Sequence, residues 1–221
     1  MIISLKKQRK IDTSNLSLTG AIYSLKQNNS VEFESSLERD YINILEYNND
    51  VVEYIEQPIK IEYFEDDVRR TYIPDFWAKY NNGQEEIIEI KYLEELNKNE
   101  PQLINKHFQA NLFCENNNLT FKVLTEKDIR TPYLENAKFL LYYRTKEKMI
   151  ENNHINLILN ILGKYRCISV IEMVENLSRD KYVQAEYLFT LWYLISINLI
   201  GFDQKKTLSM KSIIYQMNIN G

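Results

Sequence analysis

The 221-residue chain predicts an α/β fold, a mixed sheet flanked by helices, followed by a small helical domain with a β-wing. Three observations predict it. Residues 51–92 carry runs of β-branched and aromatic residues separated by turn residues. Apolar residues at helical spacing bracket those runs at 34–48 and 101–117, and from Lys146 onward the pattern is helical throughout. A hydrophobic content of 44% suits a substantial core, and with 5 Gly and 4 Pro long flexible linkers are not expected. The expected parts are a basic arm over 1–30, a sheet-containing domain over 31–145 and a helical, wing-bearing domain over 146–221.

Within the arm, Lys6, Lys7, Arg9, Lys10 and Lys26 stand against Asp12 in a chain whose net charge is −4. Such a cluster is either an arm that puts Lys6, Lys7, Arg9 and Lys10 on DNA phosphates or a solvated tail. From Glu34 to Asn48, Leu37, Tyr41, Ile44 and Leu45 recur at helical spacing, and Ser35 or Ser36 can cap the helix. Glu38 sits at the edge of the buried face. It is either a first-turn acid that stabilises the helix end or an acid reaching toward the sheet, with Glu34 as a rival. Val51–Ile55 and Ile59–Phe64 read as strands, and Pro58 between them is expected to hold Gln57 extended. Glu65-Asp66-Asp67 then makes a polar turn.

The centre of the chain is Arg70–Tyr80 and Gln84–Tyr92, two strands joined by Asn81-Asn82-Gly83, with Asn82-Gly83 supplying the positive φ angles of a tight hairpin. Antiparallel pairing about this turn sets Asp75 and Glu89 at about equal distances from it, and Lys91 shares the face of Glu89. Paired carboxylates repel unless a cation lies between them. Oxygen ligands suit a hard ion such as Mg²⁺, for which Mn²⁺ can substitute. Asp75, Glu89 and the backbone carbonyl of Ile90 are the candidate metal ligands, and Lys91 can orient an attacking water or stabilise developing negative charge. The plain alternative is a cross-face ion pair on an exposed strand.

Pro101–Asn117 reads as a helix with Leu103, Ile104, Phe108, Leu112 and Phe113 on its apolar side and Lys106, His107 and Gln109 as polar positions. Leu119–Leu124 is then a strand parallel to Ile87–Tyr92, after a crossover long enough for that connection. Thr125 to Asp128 has capping-box spacing, and Leu134–Tyr143 follows as a helix. Helices over Ile155–Leu162, ended by Gly163, over Ile168–Leu177 and over Lys181–Asn198 precede a wing from Gly201 to Tyr215. Together they suggest a winged-helix module. Its third helix is apolar and poor in Lys and Arg, so it either reads DNA or docks protein.

Pro74-Asp75 followed by Glu89-Ile90-Lys91 resembles the PD-(D/E)xK nuclease superfamily, whose core is the restriction-endonuclease-like mixed sheet flanked by helices. More narrowly, Phe33–Tyr41, Val51–Pro58 with Glu56-Gln57-Pro58, Tyr72–Phe76 and Thr125–Arg130 resemble TnsA-type endonuclease subunits of heteromeric transposases, over nearly the whole chain. Some members of that family have Gln where this chain has Glu89. The resemblance implies a metal-dependent DNA endonuclease that hydrolyses the strand at the 5′ ends of a transposon during cut-and-paste transposition. The implied catalytic set is Glu38, Asp75, Glu89 and Lys91. The implied partners are transposon-end DNA, a DDE-type transposase subunit (TnsB-like), and an AAA+ regulator (TnsC-like) that engages the carboxy-terminal domain. Two other readings stay open: a stand-alone restriction-like or junction-resolving nuclease, and a bridging subunit with a decayed site.

Other classes are disfavoured. Cys114 and Cys167 are isolated, without the spacing of a zinc site or a disulfide framework. His107 and His154 lack the spacing of a His-metal nuclease or a Ser-His-Asp site. The apolar stretch from Tyr187 to Ile200 is short and interrupted by Thr190, Ser196 and Asn198, and the amino terminus lacks signal-peptide features, so a cytoplasmic protein with no membrane role is expected. The negative net charge suggests that a partner supplies most of the DNA affinity.

Overall fold

The structure is a computed structural model, and it describes residues 5–9 and 18–217. The chain divides into two compact units, Met1–Arg130 and Thr131–Gly221, a division that falls earlier than the change in sequence pattern near 145. Among the described residues, no helix is long and apolar enough to cross a membrane.

The first unit begins with a hairpin of β1 (Gly20–Ser24) and β2 (Asn29–Phe33) and continues into α1 (Ser36–Tyr47). Next come β3 (Val51–Glu56), β4 (Ile61–Glu65), β5 (Val68–Tyr72), β6 (Phe76–Tyr80) and β7 (Glu85–Ile90). The unit ends with α2 (Leu93–Asn97), α3 (Pro101–Glu115), β8 (Thr120–Leu124) and α4 (Glu126–Ile129). Its main sheet has the order β3-β6-β7-β8, with β7 and β8 parallel and the other pairs antiparallel. This is the mixed sheet the sequence predicts, and the α3 crossover permits its parallel pair.

Alternation along β6 and β7 divides the core between the two faces of the sheet. Phe76 meets Tyr41 of α1 edge-on at 5.6 Å between ring centroids. On the other face Trp77 and Ile87 pack with Cys114 of α3. Glu89 and Lys91 therefore lie on the α3 side, since they follow Ile87 at steps of two.

Several local expectations need correction. Arg70–Tyr80 is not one strand. Among the described residues β5 pairs only with β4, in a separate two-stranded sheet, and Ile73-Pro74-Asp75 breaks the chain before β6, because Pro74 has no N–H to offer a ladder. The β6–β7 turn takes positive φ at Gly83 alone (φ 83), with Tyr80 N–H donating to the Gln84 carbonyl at 2.9 Å. That is a three-residue loop rather than a two-residue one. The two-residue turn belongs instead to β4–β5, where Asp66 (φ 49) and Asp67 (φ 62) are both left-handed, a geometry aspartate tolerates. Gln57 is not extended but left-handed, at φ 48. Finally, α3 turns Ile104 and Phe108 outward, 56% and 57% exposed, and buries Ala110 and Cys114.

The second unit comprises α5 (Pro132–Arg144), α6 (Asn152–Tyr165), β9 (Cys167–Ser169), α7 (Val170–Leu177), α8 (Lys181–Ser196), β10 (Ile200–Phe202) and β11 (Ile213–Gln216). The three strands form an antiparallel sheet of order β10-β11-β9. Ile168 and Ser169, read above as the start of a helix, join Cys167 in one wing strand, and Ser169 then caps α7 with a capping box to Glu172. Gly163 does not end α6, which runs to Tyr165 and stops at Arg166 in a left-handed conformation (φ 60). The apolar α8 is the central helix, with Tyr187, Leu191 and Leu194 buried, so packing within the unit accounts for most of its apolar character.

Candidate active site

Extending the β6–β7 register from Phe76↔Ile88 by one step sets Asp75 opposite Glu89. Asp75 follows the Pro74 break and is anchored at two points. Its Oδ2 accepts the Ile90 N–H at 2.6 Å, and its carbonyl accepts the Gln57 N–H at 2.8 Å. Glu89 is 2% exposed, and both of its carboxylate oxygens are engaged. Oε2 accepts the Tyr72 hydroxyl at 2.6 Å; Oε1 lies 2.8 Å from Lys106 Nζ and 3.3 Å from Lys91 Nζ. Lys91 is placed by β8, since its N–H donates to the Leu124 carbonyl at 3.0 Å and carries the parallel pairing one residue past β7.

Glu38 performs helix capping. Its backbone N–H donates to Ser35 Oγ, while its carboxylate accepts from the Glu34 N–H at 2.8 Å and from Ser35 Oγ at 2.9 Å. The arrangement is like a capping box, except that the carboxylate takes the N–H of Glu34, one residue before the Ser35 cap. The same carboxylate is close enough to Asp75 and Lys91 to interact electrostatically with both. Glu34 is occupied elsewhere, with Arg9 at 2.5 Å and the Gln57 side-chain amide at 3.3 Å.

The charges are unevenly held. Burial, then Glu89, then Glu38 push the Asp75 carboxyl well above the ordinary carboxylate range, against the pull of Lys91 and the Ile90 N–H. Burial also raises Glu38, and Glu34 adds to it, while the cap donors and Lys91 act in the opposite sense. Glu89 shows the reverse balance: burial would raise it, but Lys91 and Lys106 outweigh burial and hold it below its usual value. Burial would strip the proton from Lys91, yet Glu89 and Asp75 more than compensate, and its ammonium is stabilised.

Among the described residues, no group of three or more His, Cys, Asp and Glu side chains is gathered to hold a metal ion. An ion at this site would rest on Asp75, Glu89 and the Ile90 carbonyl, with Glu38 engaged in its cap. Those groups fit a hard divalent cation chemically. They are all oxygen donors, and Asp75 is a carboxylate whose charge its acidic neighbours disfavour and an added cation would stabilise.

The basic arm is tied down where it is described. Lys7 Nζ lies 2.7 Å from Glu32 and 2.8 Å from Glu56, Arg9 pairs with Glu34, and Lys6 is held through its N–H to the Pro58 carbonyl at 2.9 Å. Lys26 donates to the carbonyls of Leu45, Asn48 and Val51 at 2.7, 2.5 and 2.6 Å and so caps the end of α1. Lys10 lies outside the described residues.

Sequence reasoning names Lys106 as a polar position of its helix but places neither it nor Tyr72 at Glu89. Lys106 shares a face of α3 with Ala110, Phe113 and Cys114, one turn and two turns further along, but the strands beneath decide that this is the buried face. Cavities of about 380 and 270 Å³ border the two lysines. Lys91, Glu95 and Lys98 line the first, and Tyr63, Arg70 and Lys106 line the second; Glu100 and Leu103 line both.

Two family models match the chain. Residues 48–126 match the TnsA-like endonuclease N terminal family, and residues 128–203 match the TnsA endonuclease C terminal family. The first match contains Asp75, Glu89, Ile90, Lys91 and Lys106 and begins after Glu38. No curated protein matches the chain.

Proposed function

Because the chain belongs to the TnsA endonuclease family of transposase subunits, we propose that it is a metal-dependent nuclease that hydrolyses the DNA strand at the 5′ ends of a transposon. The observation that carries this reading is the pairing of Asp75 with Glu89 at the ends of β6 and β7, beside an ammonium whose charge that pair stabilises.

Asp75, Glu89 and the Ile90 carbonyl would hold Mg²⁺, with Mn²⁺ as its substitute, and a bound ion supplies Lewis-acid stabilisation of the scissile phosphate and lowers the pKa of water. The remaining work falls to the chain. The Ile90 N–H and the Gln57 N–H fix Asp75 from both sides, so its carboxylate needs little reorganisation. Lys91 keeps its proton beside Glu89 and Asp75 and can place a positive charge against the negative charge that develops on the phosphate oxygens. Tyr72 orients Glu89 through its hydroxyl. Glu38, at the start of α1, adds negative charge that makes a cation more favourable at Asp75.

In the same proposal the partners are transposon-end DNA, a DDE-type transposase subunit that cuts the opposite strand, and an AAA+ regulator engaged by the second unit. The test is cleavage of transposon-end DNA by the chain together with its transposase partner, with the cut ends mapped to the nucleotide. Cleavage at the 5′ ends should require a divalent ion, and Asp75→Ala should lower its rate by about a thousandfold or more. Full transposition with Asp75→Ala would sink the nuclease reading in favour of a bridging subunit. Specific cutting by the pure chain without partners would favour a stand-alone nuclease.

A further inference from the structure

The charge set around Glu89 contains one more ammonium than the Glu-x-Lys pattern supplies. Lys106, on α3, approaches Glu89 Oε1 to 2.8 Å, closer than the 3.3 Å of Lys91. It also lies over the ring of Tyr72, with 4.6 Å from Nζ to the centroid, while the Tyr72 hydroxyl holds the other oxygen of the same carboxylate. A carboxylate that is 2% exposed requires such neutralisation when no other cation is present.

We propose that Lys106 is an exchangeable counter-ion of Glu89, which neutralises it in the metal-free protein, yields it to a divalent cation, and then turns to a backbone phosphate of the DNA. The proposal rests on the nuclease reading above.

Charge balance gives the reason. Asp75, Glu89 and Glu38 can carry at most three negative charges against the two ammoniums of Lys91 and Lys106, both of which lie on Glu89. A divalent cation makes the set positive and leaves at least one ammonium in excess. The surplus favours release of the ammonium that is least constrained. Lys91 is fixed by the backbone bond that extends β7 along β8, and it serves Asp75 as well as Glu89. Among the described residues Lys106 is held by Glu89 and by a ring face, its side chain is 23% exposed, and it lines the open cavity of about 270 Å³ bordered also by Glu100 and by Arg70, which pairs with Glu65 at 3.4 Å. A lysine stem has the rotatable bonds to swing from the carboxylate into that space. A phosphodiester is the anion that the same reaction brings to the site. Lys106 thereby couples metal loading to DNA binding: without DNA the ammonium competes with the ion for Glu89, and with DNA it has another partner.

The experiment is calorimetric titration of Mn²⁺ into the full chain, into Lys106→Met and into Asp75→Ala, each with and without a transposon-end duplex. Removing the competing charge should tighten Mn²⁺ binding to Lys106→Met by about tenfold without DNA. It should also shrink the gain in Mn²⁺ affinity that DNA confers on the parent. Equal or weaker Mn²⁺ binding by a folded Lys106→Met, beside a parent that binds and an Asp75→Ala variant that does not, overturns the counter-ion role and leaves the metal site standing. Equal binding by parent and Asp75→Ala, or binding by none of the three with DNA present, overturns the metal site and the counter-ion role together. If Lys106→Met fails to fold, acylation of Lys106 in the unaltered chain by an amine-reactive ester, read by mass spectrometry, decides. Mn²⁺ should speed that acylation and duplex DNA should slow it again, while an unchanged rate refutes the proposal.

Discussion

Asp75 occupies a position that favours its neutral form, although the metal-binding role proposed for it needs its charge. Its folded pKa lies above that of the unfolded chain, because burial and the Glu89 and Glu38 carboxylates oppose ionisation. The sign follows from linkage. The stability Asp75 contributes is fully present below the unfolded value of about 3.9 and is lost as pH rises through the folded value. At neutral pH, then, the metal-free protein carries strain at this residue. Asp75→Asn keeps an oxygen for the Ile90 N–H and removes the charge. It should raise the melting temperature in chelator, by about 2–4 °C for each kcal/mol recovered, while abolishing Mn²⁺ binding. Thermal unfolding in EDTA and in Mn²⁺ checks both halves, and a lower melting temperature in EDTA would contradict the electrostatic account. Gln57 presents strain of another kind. At φ 48 a non-glycine residue costs about 1 kcal/mol, yet its N–H must reach the Asp75 carbonyl. Gln57→Gly retains that N–H and should be neutral or stabilising by up to about 1 kcal/mol in urea melts, whereas Gln57→Val should cost about 2 kcal/mol or more. Asp75, Glu89 and Lys91 were legible in the sequence because a hairpin converts spacing into proximity. Gln57 was misread because the pre-proline rule favours extended backbone, and here the bonds to Asp75 and Gln8 prevail.

At the scale of elements, α1 combines two duties that the sequence could not separate. Glu38 is the third helical residue after the Ser35 cap, where its side chain accepts from the Glu34 N–H and the Ser35 hydroxyl, as a Gln side-chain oxygen also can, and it is also an electrostatic neighbour of Asp75. Glu38→Gln therefore keeps the cap and removes the charge. It should leave the stability in urea within about 0.5 kcal/mol of the parent while lowering cleavage with the partner transposase by at least about tenfold. Ser35→Ala does the opposite and should cost about 1 kcal/mol of stability. Undiminished cleavage by Glu38→Gln would assign the residue to capping alone. α3 shows where legibility ends. Its apolar residues Leu103, Ile104, Phe108, Leu112 and Phe113 spread over more than one face, and of them Phe113 packs inward while Ile104 and Phe108 face out. The sheet instead selects the face with smaller residues, Ala110 and Cys114, which allows the helix to lie close over Trp77 and Ile87. That rotation by packing brings Lys106 to Glu89. No periodicity within α3 alone specifies it, because the register depends on the strands beneath.

For the whole molecule, the informative quantity is where charge and chemistry are distributed between the two units. Asp75, Glu89, Lys91, Glu38, Tyr72 and Lys106 all lie in Met1–Arg130, and so do the elements that bond to them. The second unit has its own core around α8, with Leu140, Ile158, Leu162, Met173 and Leu191 buried, and its own three-stranded wing. The helical pattern of that part was evident in the sequence, but the wing strand at Cys167–Ser169 was not, since three residues before a helix cap carry too little periodicity to be told from the helix itself. Separate cores predict separable functions. A fragment of residues 1–130 should unfold cooperatively and bind Mn²⁺ within about threefold of the full chain, because no site residue is removed. The same fragment should fail to support transposition with the partner subunits, since the proposed contact with the AAA+ regulator belongs to residues 131–221. Calorimetry and a transposition assay with the full chain as reference measure the two properties independently. Loss of Mn²⁺ binding by a folded fragment would show that the metal site depends on the second unit, and retained transposition would remove the regulator contact from it. The net charge of −4 adds a constraint on both outcomes. With Lys7, Arg9 and Lys26 already engaged inside it, the first unit, which holds the candidate site, has no strong electrostatic hold on phosphate by itself. Duplex affinity of the full chain should therefore be weak at physiological salt and rise sharply only when the transposase partner is added.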